Sequence, residues 1–292
     1  MPEATAPGSS GNLGPGFDTL ALALELRCRV KAMPADAWEI RHVGVHRPEH
    51  GDALRPEHGD AVLAAARLAV GDRSPLALMV WNEIPIGRGL GSSAAAAAAG
   101  AAAAWRAVGH IPVPSDVFEV AAEIDGHSDN AAASVYGGLV SVTTKGTVLR
   151  LALHESIRLV IAVPEETLPT RKARKQLPDT IDRNLVVRSL QRIVALIEGL
   201  RTGNAGVLST AAGDELHELP RARLNLRAER LIGAARRSGA LHACWSGAGP
   251  SVLALTVAEK RSAVVAAMRA ELGNDGVVLT PEVAVDGVRE SG

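Results

Sequence analysis

The stretch "IPIGRGLGSSAAAAAAGAAAAW", Ile84–Trp105, decides how the rest of the chain is read. Gly87, Gly89 and Gly91 are followed at once by Ser92 and Ser93, and then by ten alanines interrupted only at Gly100. Alanine has the highest helix propensity, so a slim helix is expected directly after the glycines. A helix start offers unpaired backbone N–H groups and the positive end of its dipole, which together hold phosphate. Glycines let the backbone approach the anion and take positive φ. The Gly-Lys-Ser/Thr of a Walker loop is missing, and so is the acid that follows a dinucleotide-binding glycine turn. The loop reads as a cradle for a phosphate chain whose charge is met by backbone, dipole and metal.

Outward from the loop, the pattern mixes strands and helices. Residues 18–33, 38–46 and "SPLALMVWNEIP" read as strands, and Ala61–Val70 as a helix. "PSDVFEVAAEIDGH" reads as a helix capped by Ser115 and stopped by Gly126. "GGLVSVTTKGTVLRLAL" reads as a hairpin turning at Lys145-Gly146, and residues 156–164 as another strand. Beyond lie three helical stretches, "RNLVVRSLQRIVALIEGL" with an apolar stripe, "RAERLIGAARRSG" and "AEKRSAVVAAMRAEL". Between the last two, "ALHACWSGAGPSVLALTV" reads as strand, glycine turn and strand. No regular βαβ repeat appears, so the expected class is α+β, in two domains cut at 154/155. The 292 residues are 47% apolar and only 2% aromatic, which gives a large aliphatic core and a poor platform for stacking single-stranded nucleic acid. A net charge of −1 steers the chain toward neither nucleic acid nor an anionic membrane. Cys28 and Cys244 stand alone, so neither a disulfide framework nor structural zinc is expected. With no signal peptide or apolar span, the expected location is cytoplasmic. "RPEHGDALRPEHGDAV", Arg47–Val62, is a tandem repeat that matches no metal motif and reads as a duplicated surface loop.

Two further glycine segments, "APGSSGNLGPGFD" at Ala6–Asp18 and "SGAGPSVLAL" at Ser246–Leu255, are each weak signals. Three in this order are specific. "PIGRGLGSSAA" resembles the second motif of the GHMP kinases and "SGAGPSVLAL" the third. "SSGNLGPGFD", "EIDGHSDNAAASVYGGLV", "LPTRKARKQLP" and "DELHELPR" resemble stretches of the homoserine kinases within that family. The likeness reaches from about residue 6 to about 255. Gly11 stands where the family usually has Ala, Ser128 where it usually has Pro, and Asp60 where a nucleotide-side Asn often sits.

The resemblance implies a ribosomal protein S5 domain 2-like N-terminal domain (1–154) and a ferredoxin-like C-terminal domain (155–292). It implies ATP as co-substrate, with Pro85, Ile86, Gly87, Arg88, Gly89, Leu90, Gly91, Ser92, Ser93 and Ala94 around its phosphates. Ser246, Gly247 and Gly249 would supply the third glycine motif. Mg²⁺ would be held by Ser93 and Glu119, the hard oxygen donors such an ion takes. An amino-acid alcohol would be held by Asn12, Asp18, His127, Asn130, Thr170, Arg174 and Arg221, with the arginines forking its carboxylate and Asp18 on its ammonium. Asp129 and Asn130 would serve catalysis, Asp129 being the nearest carboxylate either to act as base or to orient a neighbour, with positioning alone as the alternative to a base. The implied reaction is phosphorylation of L-homoserine on the way to threonine. Another small alcohol (mevalonate, a sugar, a diphosphocytidyl alcohol) and a non-catalytic nucleotide binder remain as alternatives. No nucleic acid or membrane partner is implied. A homodimer is compatible with the family, although the sequence carries no interface signature.

Overall fold

The computed structural model describes residues 2–44 and 59–291. Residues 47–58 of the tandem repeat lie outside them. In chain order the strands are β1 (Glu3–Gly11), β2 (Leu20–Pro34), β3 (Glu39–Val43), β4 (Leu76–Asn82), β5 (Leu139–Val142), β6 (Val148–Leu151), β7 (Arg158–Pro164), β8 (His242–Trp245), β9 (Val252–Thr256), β10 (Gly276–Leu279) and β11 (Arg289–Ser291). The helices are α1 (Ala61–Val70), α2 (Ser92–Ala107), α3 (Pro114–Asp125), α4 (Ser128–Tyr136), α5 (Thr170–Arg174), α6 (Arg183–Thr202), α7 (Ala205–Thr210), α8 (Glu218–Arg221), α9 (Leu226–Arg237) and α10 (Ala258–Leu272).

The first sheet runs β11-β1-β2-β4-β3, with the β5–β6 hairpin joined to β2. The second runs β10-β7-β9-β8, every neighbour antiparallel. Numbered within its own strand–helix–strand–strand–helix–strand order, that sheet reads 4-1-3-2, the ferredoxin-like arrangement expected. The chain leaves the first sheet after β6 and enters the second at β7, across the expected cut at 154/155. The expectation that everything beyond the cut forms one unit is corrected at the tail. Val283 bridges Leu24 and β11 pairs with β1, so the last ten or so residues return to the first sheet. No sequence pattern marks this return, because β11 is three exposed residues without alternation.

The alanine helix α2 is buried on every side from Ala97 to Ala104. A helix apolar all round belongs inside a core, and its small side chains let α1 and α3 come close while it packs on β1 and β2. At Gly100 an added Cβ would lie 2.8 Å from the Val62 carbonyl of α1, so even alanine is too large there. α3 starts at Pro114 with Val113 in the cap position, not at Ser115, whose hydroxyl bonds Asp116 instead. Proline suits a first helical position because its missing N–H has no partner there in any case. Gly126 ends α3 in the left-handed region as expected. The stripe of α6 is only half used: Leu196 and Leu200 are buried, while Val187, Leu190 and Val194 are exposed.

Candidate active site

The three glycine segments meet at one place. Residues 3–11 form a strand and not the loop their composition suggests, and the chain then turns through Asn12, Leu13 and Asp18 with positive φ. Asn12 Nδ2 donates to the Gly247 carbonyl at 2.9 Å, and Gly247 N–H donates to the Gly11 carbonyl at 3.0 Å. Ser246 Oγ lies 2.7 Å from the Gly89 carbonyl and 2.8 Å from Ser10 Oγ. Ser9 N–H donates to the Leu90 carbonyl. Such close backbone crossing needs glycine: a Cβ on Gly89 would stand 2.1 Å from the Ser246 carbonyl oxygen, and one on Gly91 2.1 Å from Ser9 Oγ. Gly91, at φ 67°, caps α2 without a side chain, so the first N–H groups of the helix face an open cleft.

That cleft has a volume of about 1030 Å³. Its wall contains Pro85 through Ser93, together with Asn12, Asp18, His127, Asp129, Asn130, Thr170, Arg174, Arg221 and Gly247. Most residues expected around phosphate and substrate are thus brought together. Four are not on the wall. Ala94 is buried behind the first turn of α2, and Ser246 and Gly249 support the loop from beneath. Glu119 is exposed, its charge acts on Tyr136, and it stands off the cleft wall. The helix register explains this. Only the last turn of α3 reaches the cleft, where Asp125 lines the wall, and Glu119 lies about 9 Å back along the axis.

Arg174 and Asp18 form a two-pronged ion pair, Nη2–Oδ1 2.5 Å and Nη1–Oδ2 3.1 Å. Arg174 Nε also donates to His127 Nε2 at 3.2 Å, and His127 Nδ1 turns to Asp125 at 3.2 Å. Burial disfavours charge on His127, but Asp125 outweighs it and raises the pKa. Asp129 is 2% exposed, and burial together with the charge of Asp18 raises its pKa. Arg221 is 1% exposed. Its Nη1 donates to His217 Nδ1 at 3.1 Å, its guanidinium lies over Phe17, and its Nε has no partner. Burial, and then the nearby Arg174, pull its pKa down to about 10. His217 and His242 donate to the consecutive carbonyls of Gly14 and Leu13, fixing the turn that carries Asn12 and Asp18. Burial keeps both neutral, His242 with its pKa down to about 4.

Beyond the phosphate loop the cleft continues between Cys28, Val62, Val80 and Asn82, with His42 Nε2 2.6 Å from Asp60 Oδ2. Asp60 also caps α1 through Val62 N–H and Leu63 N–H. His42 and Asn82 were not singled out from the sequence. Each sits in a strand whose alternation looks ordinary, and only the sheet shows which end faces the cleft.

GHMP kinase family models match residues 59–138 (N-terminal domain) and 196–274 (C-terminal). A homoserine kinase of Thermus thermophilus is 36% identical over 280 residues, covering 96% of this chain and 95% of the relative. The chain belongs to the GHMP kinase family. A homoserine kinase of Moorella thermoacetica is 33% identical over 96% of this GHMP kinase and 95% of the relative. In three dimensions it resembles a homoserine kinase of Cytophaga hutchinsonii, with a TM-score of 0.86 and 25% identity over 99% of this chain and 96% of that one. The L. major mevalonate kinase shares the fold, with a TM-score of 0.75 at 16% identity over 96% and 95%. This GHMP kinase is therefore an ATP-dependent phosphotransferase acting on a small molecule. No helix among its described residues is long and apolar enough to cross a membrane.

Proposed function

We propose that the chain is a homoserine kinase, transferring the γ-phosphoryl group of ATP to the hydroxyl of L-homoserine and releasing ADP and O-phospho-L-homoserine. The observation that carries this is Arg221. A buried guanidinium without an acid partner is costly, and this one forms no ion pair among the described residues while facing the cleft. A substrate carboxylate completes it. Asp18 stands close enough to affect both Arg221 and Asp129, and it suits an ammonium. Arg174, paired with Asp18, exchanges that partner for the substrate: its fork turns to the carboxylate and Asp18 turns to the ammonium. Asn12, His127, Asn130 and Thr170 complete the shell. Curated relatives carry the homoserine kinase name along nearly their whole length.

The helix start at Gly91–Ser93 holds the phosphates by backbone N–H groups and dipole. Mg²⁺ fits here as an ion that arrives on the nucleotide. Among the described residues no cluster of three or more ligating side chains forms a cage, and Mg²⁺ keeps its waters and takes few protein ligands. Ser93, with Asp125 on the same wall, would hold it, and it would offset phosphate charge. Asp129, its pKa raised by burial, is the carboxylate suited to receive the hydroxyl proton. Positioning and charge stabilisation supply most of phosphoryl transfer. The product leads toward threonine, and the enzyme is placed in the cytoplasm, with neither nucleic acid nor membrane as a partner.

The test is ADP release from MgATP with L-homoserine, mevalonate, galactose or no acceptor. Turnover with homoserine alone is expected. Turnover with mevalonate or galactose instead would keep the phosphate loop and discard the substrate shell.

A further inference from the structure

Arg88 was expected among the phosphate ligands, but its donors point elsewhere. Nε donates to the Pro164 carbonyl at 2.9 Å, Nη1 to the Ile86 carbonyl at 2.7 Å, and Nη2 to the Glu165 carbonyl. One guanidinium thus holds the phosphate loop to the end of β7 in the second sheet. A second tie lies beside it, Leu168 N–H donating to the Gly87 carbonyl at 3.1 Å. Leu168 is buried with Ala173 and Trp245, and α5 follows directly. α5 ends at Arg174, whose fork and Nε grip Asp18 and His127. The phosphate loop and the substrate-side arginine are therefore the two ends of one braced segment.

We propose that Arg88 is a positioning residue that couples nucleotide binding to the placement of Arg174, through residues 164–174. A phosphate chain seated on the loop fixes Gly87 and Arg88. The fork then restrains Pro164 and Glu165, and the short, packed α5 passes that restraint to Arg174. Coupling of this kind needs an unbroken set of packed and bonded groups, which the two ties and α5 provide. Only the consequence for homoserine rests on the function proposed above.

The experiment is hydrogen exchange of the backbone amides in residues 165–175, with and without Mg²⁺ and a non-hydrolysable ATP analogue. Analogue binding is followed separately by calorimetry. In the native protein the analogue slows exchange there by about fivefold or more, the low end of ordinary coupling between sites. Arg88→Met abolishes the slowing while the analogue still binds. Arg88→Lys keeps the charge, loses the fork, and is expected to behave like Arg88→Met. Native protein without slowing overturns the proposal, as does Arg88→Met that retains it. Arg88→Lys indistinguishable from native would show that charge alone acts, and would overturn it too. In a second arm the homoserine dissociation constant falls about fivefold or more with the analogue in the native protein, and changes little in either variant. Failure of homoserine to bind the native protein would sink the substrate assignment, while the exchange data still decide the role of Arg88.

Discussion

Arg221 shows how a residue can be costly to the fold and useful to the site. Its pKa is drawn down to about 10 because burial and Arg174 both oppose its charge. Arg221→Met should therefore leave the melting temperature unchanged or higher, since an unpaired buried charge is replaced by apolar volume. The same variant should lower kcat/KM for homoserine at least about 100-fold, equivalent to about 3 kcal/mol, with the KM for ATP nearly unchanged. Steady-state kinetics on both substrates check this, and equal losses on both would refute it. Glu218 gives a pH effect. It is half-buried as a residue, but its carboxyl turns inward, where Oε1 accepts the Trp245 N–H at 2.6 Å. Burial pushes its pKa up to about 8 from 4.5. A raised folded-state pKa means that stability is full below about 4.5 and is lost as pH climbs toward 8, because the unfolded chain releases that proton first. Glu218→Gln should thus gain on the native protein across pH 5–8, by at most about 1.4 kcal/mol per pH unit, as read from denaturant midpoints. At this scale the resemblance put forward Asp18, His127, Arg174 and Arg221 because they stand in its motifs, and all four line the cleft. Glu119, which the resemblance also put forward, stands off the cleft wall, because a spacing along the sequence does not say which helical turn reaches a cleft. His42 and Asn82 escaped because nothing in a strand's alternation marks its site-facing end.

Among the elements, the phosphate loop was the most legible, since three glycines before an alanine run have few uses other than close backbone approach. The structure also ranks those glycines. All three have positive φ, so any alanine there costs about 1–2 kcal/mol. At Gly87 the added Cβ would meet only the Thr167 side chain, Cγ2 at 3.3 Å and Cβ at 3.4 Å, whereas at Gly89 it would meet the Ser246 backbone at 2.1 Å. Gly87→Ala should remain active with a modestly lowered melting temperature. Gly89→Ala should part the second glycine motif from the third and lose nucleotide binding, as calorimetry would show. Equal behaviour of the two variants would mean that backbone strain alone matters. β1 was hidden for the same reason that the loop was visible. Glycine, serine and proline in "APGSSG" look like a loop, yet the strand needs small residues because the phosphate loop crosses directly over it at Ser9. α5 and α8 hold Arg174 and Arg221, the two arginines proposed for the substrate, in five and four residues, too few for a helical period to show.

The whole molecule places its candidate active site on a helix that is held from both ends of the chain. α4 begins at the cleft with Asp129 and Asn130, where Ser9 Oγ donates to Asn130 Oδ1 at 2.9 Å. Its other end is gripped by the returning tail: Val288 N–H donates to the Val135 carbonyl, and Gly138 N–H donates to the Ala284 carbonyl. Arg27 of β2 fixes the tail itself through the carbonyls of Gly287 and Asp286. Tail and α4 share a small buried cluster of Ala132, Ala133 and Ala284 with Ala21 and Ala23. Pattern reading missed this return, because a tail without periodicity gives no sign of the sheet it will rejoin. The closest approach is at Gly287, where a Cβ would fall 2.0 Å from the Val135 carbonyl oxygen. Its φ is not in the left-handed region, so Gly287→Ala tests proximity without backbone strain. The added methyl must push the tail off α4 or push α4 along its axis toward the cleft. Either movement displaces Asp129 and Asn130, and a misplacement of about 1 Å can cost about 100-fold in rate. Gly287→Ala is expected to lower kcat at least about tenfold at a temperature where circular dichroism shows it fully folded, with the KM for ATP little changed because the phosphate loop is held elsewhere. A lowered melting temperature with native kcat would mean that the tail serves the fold alone.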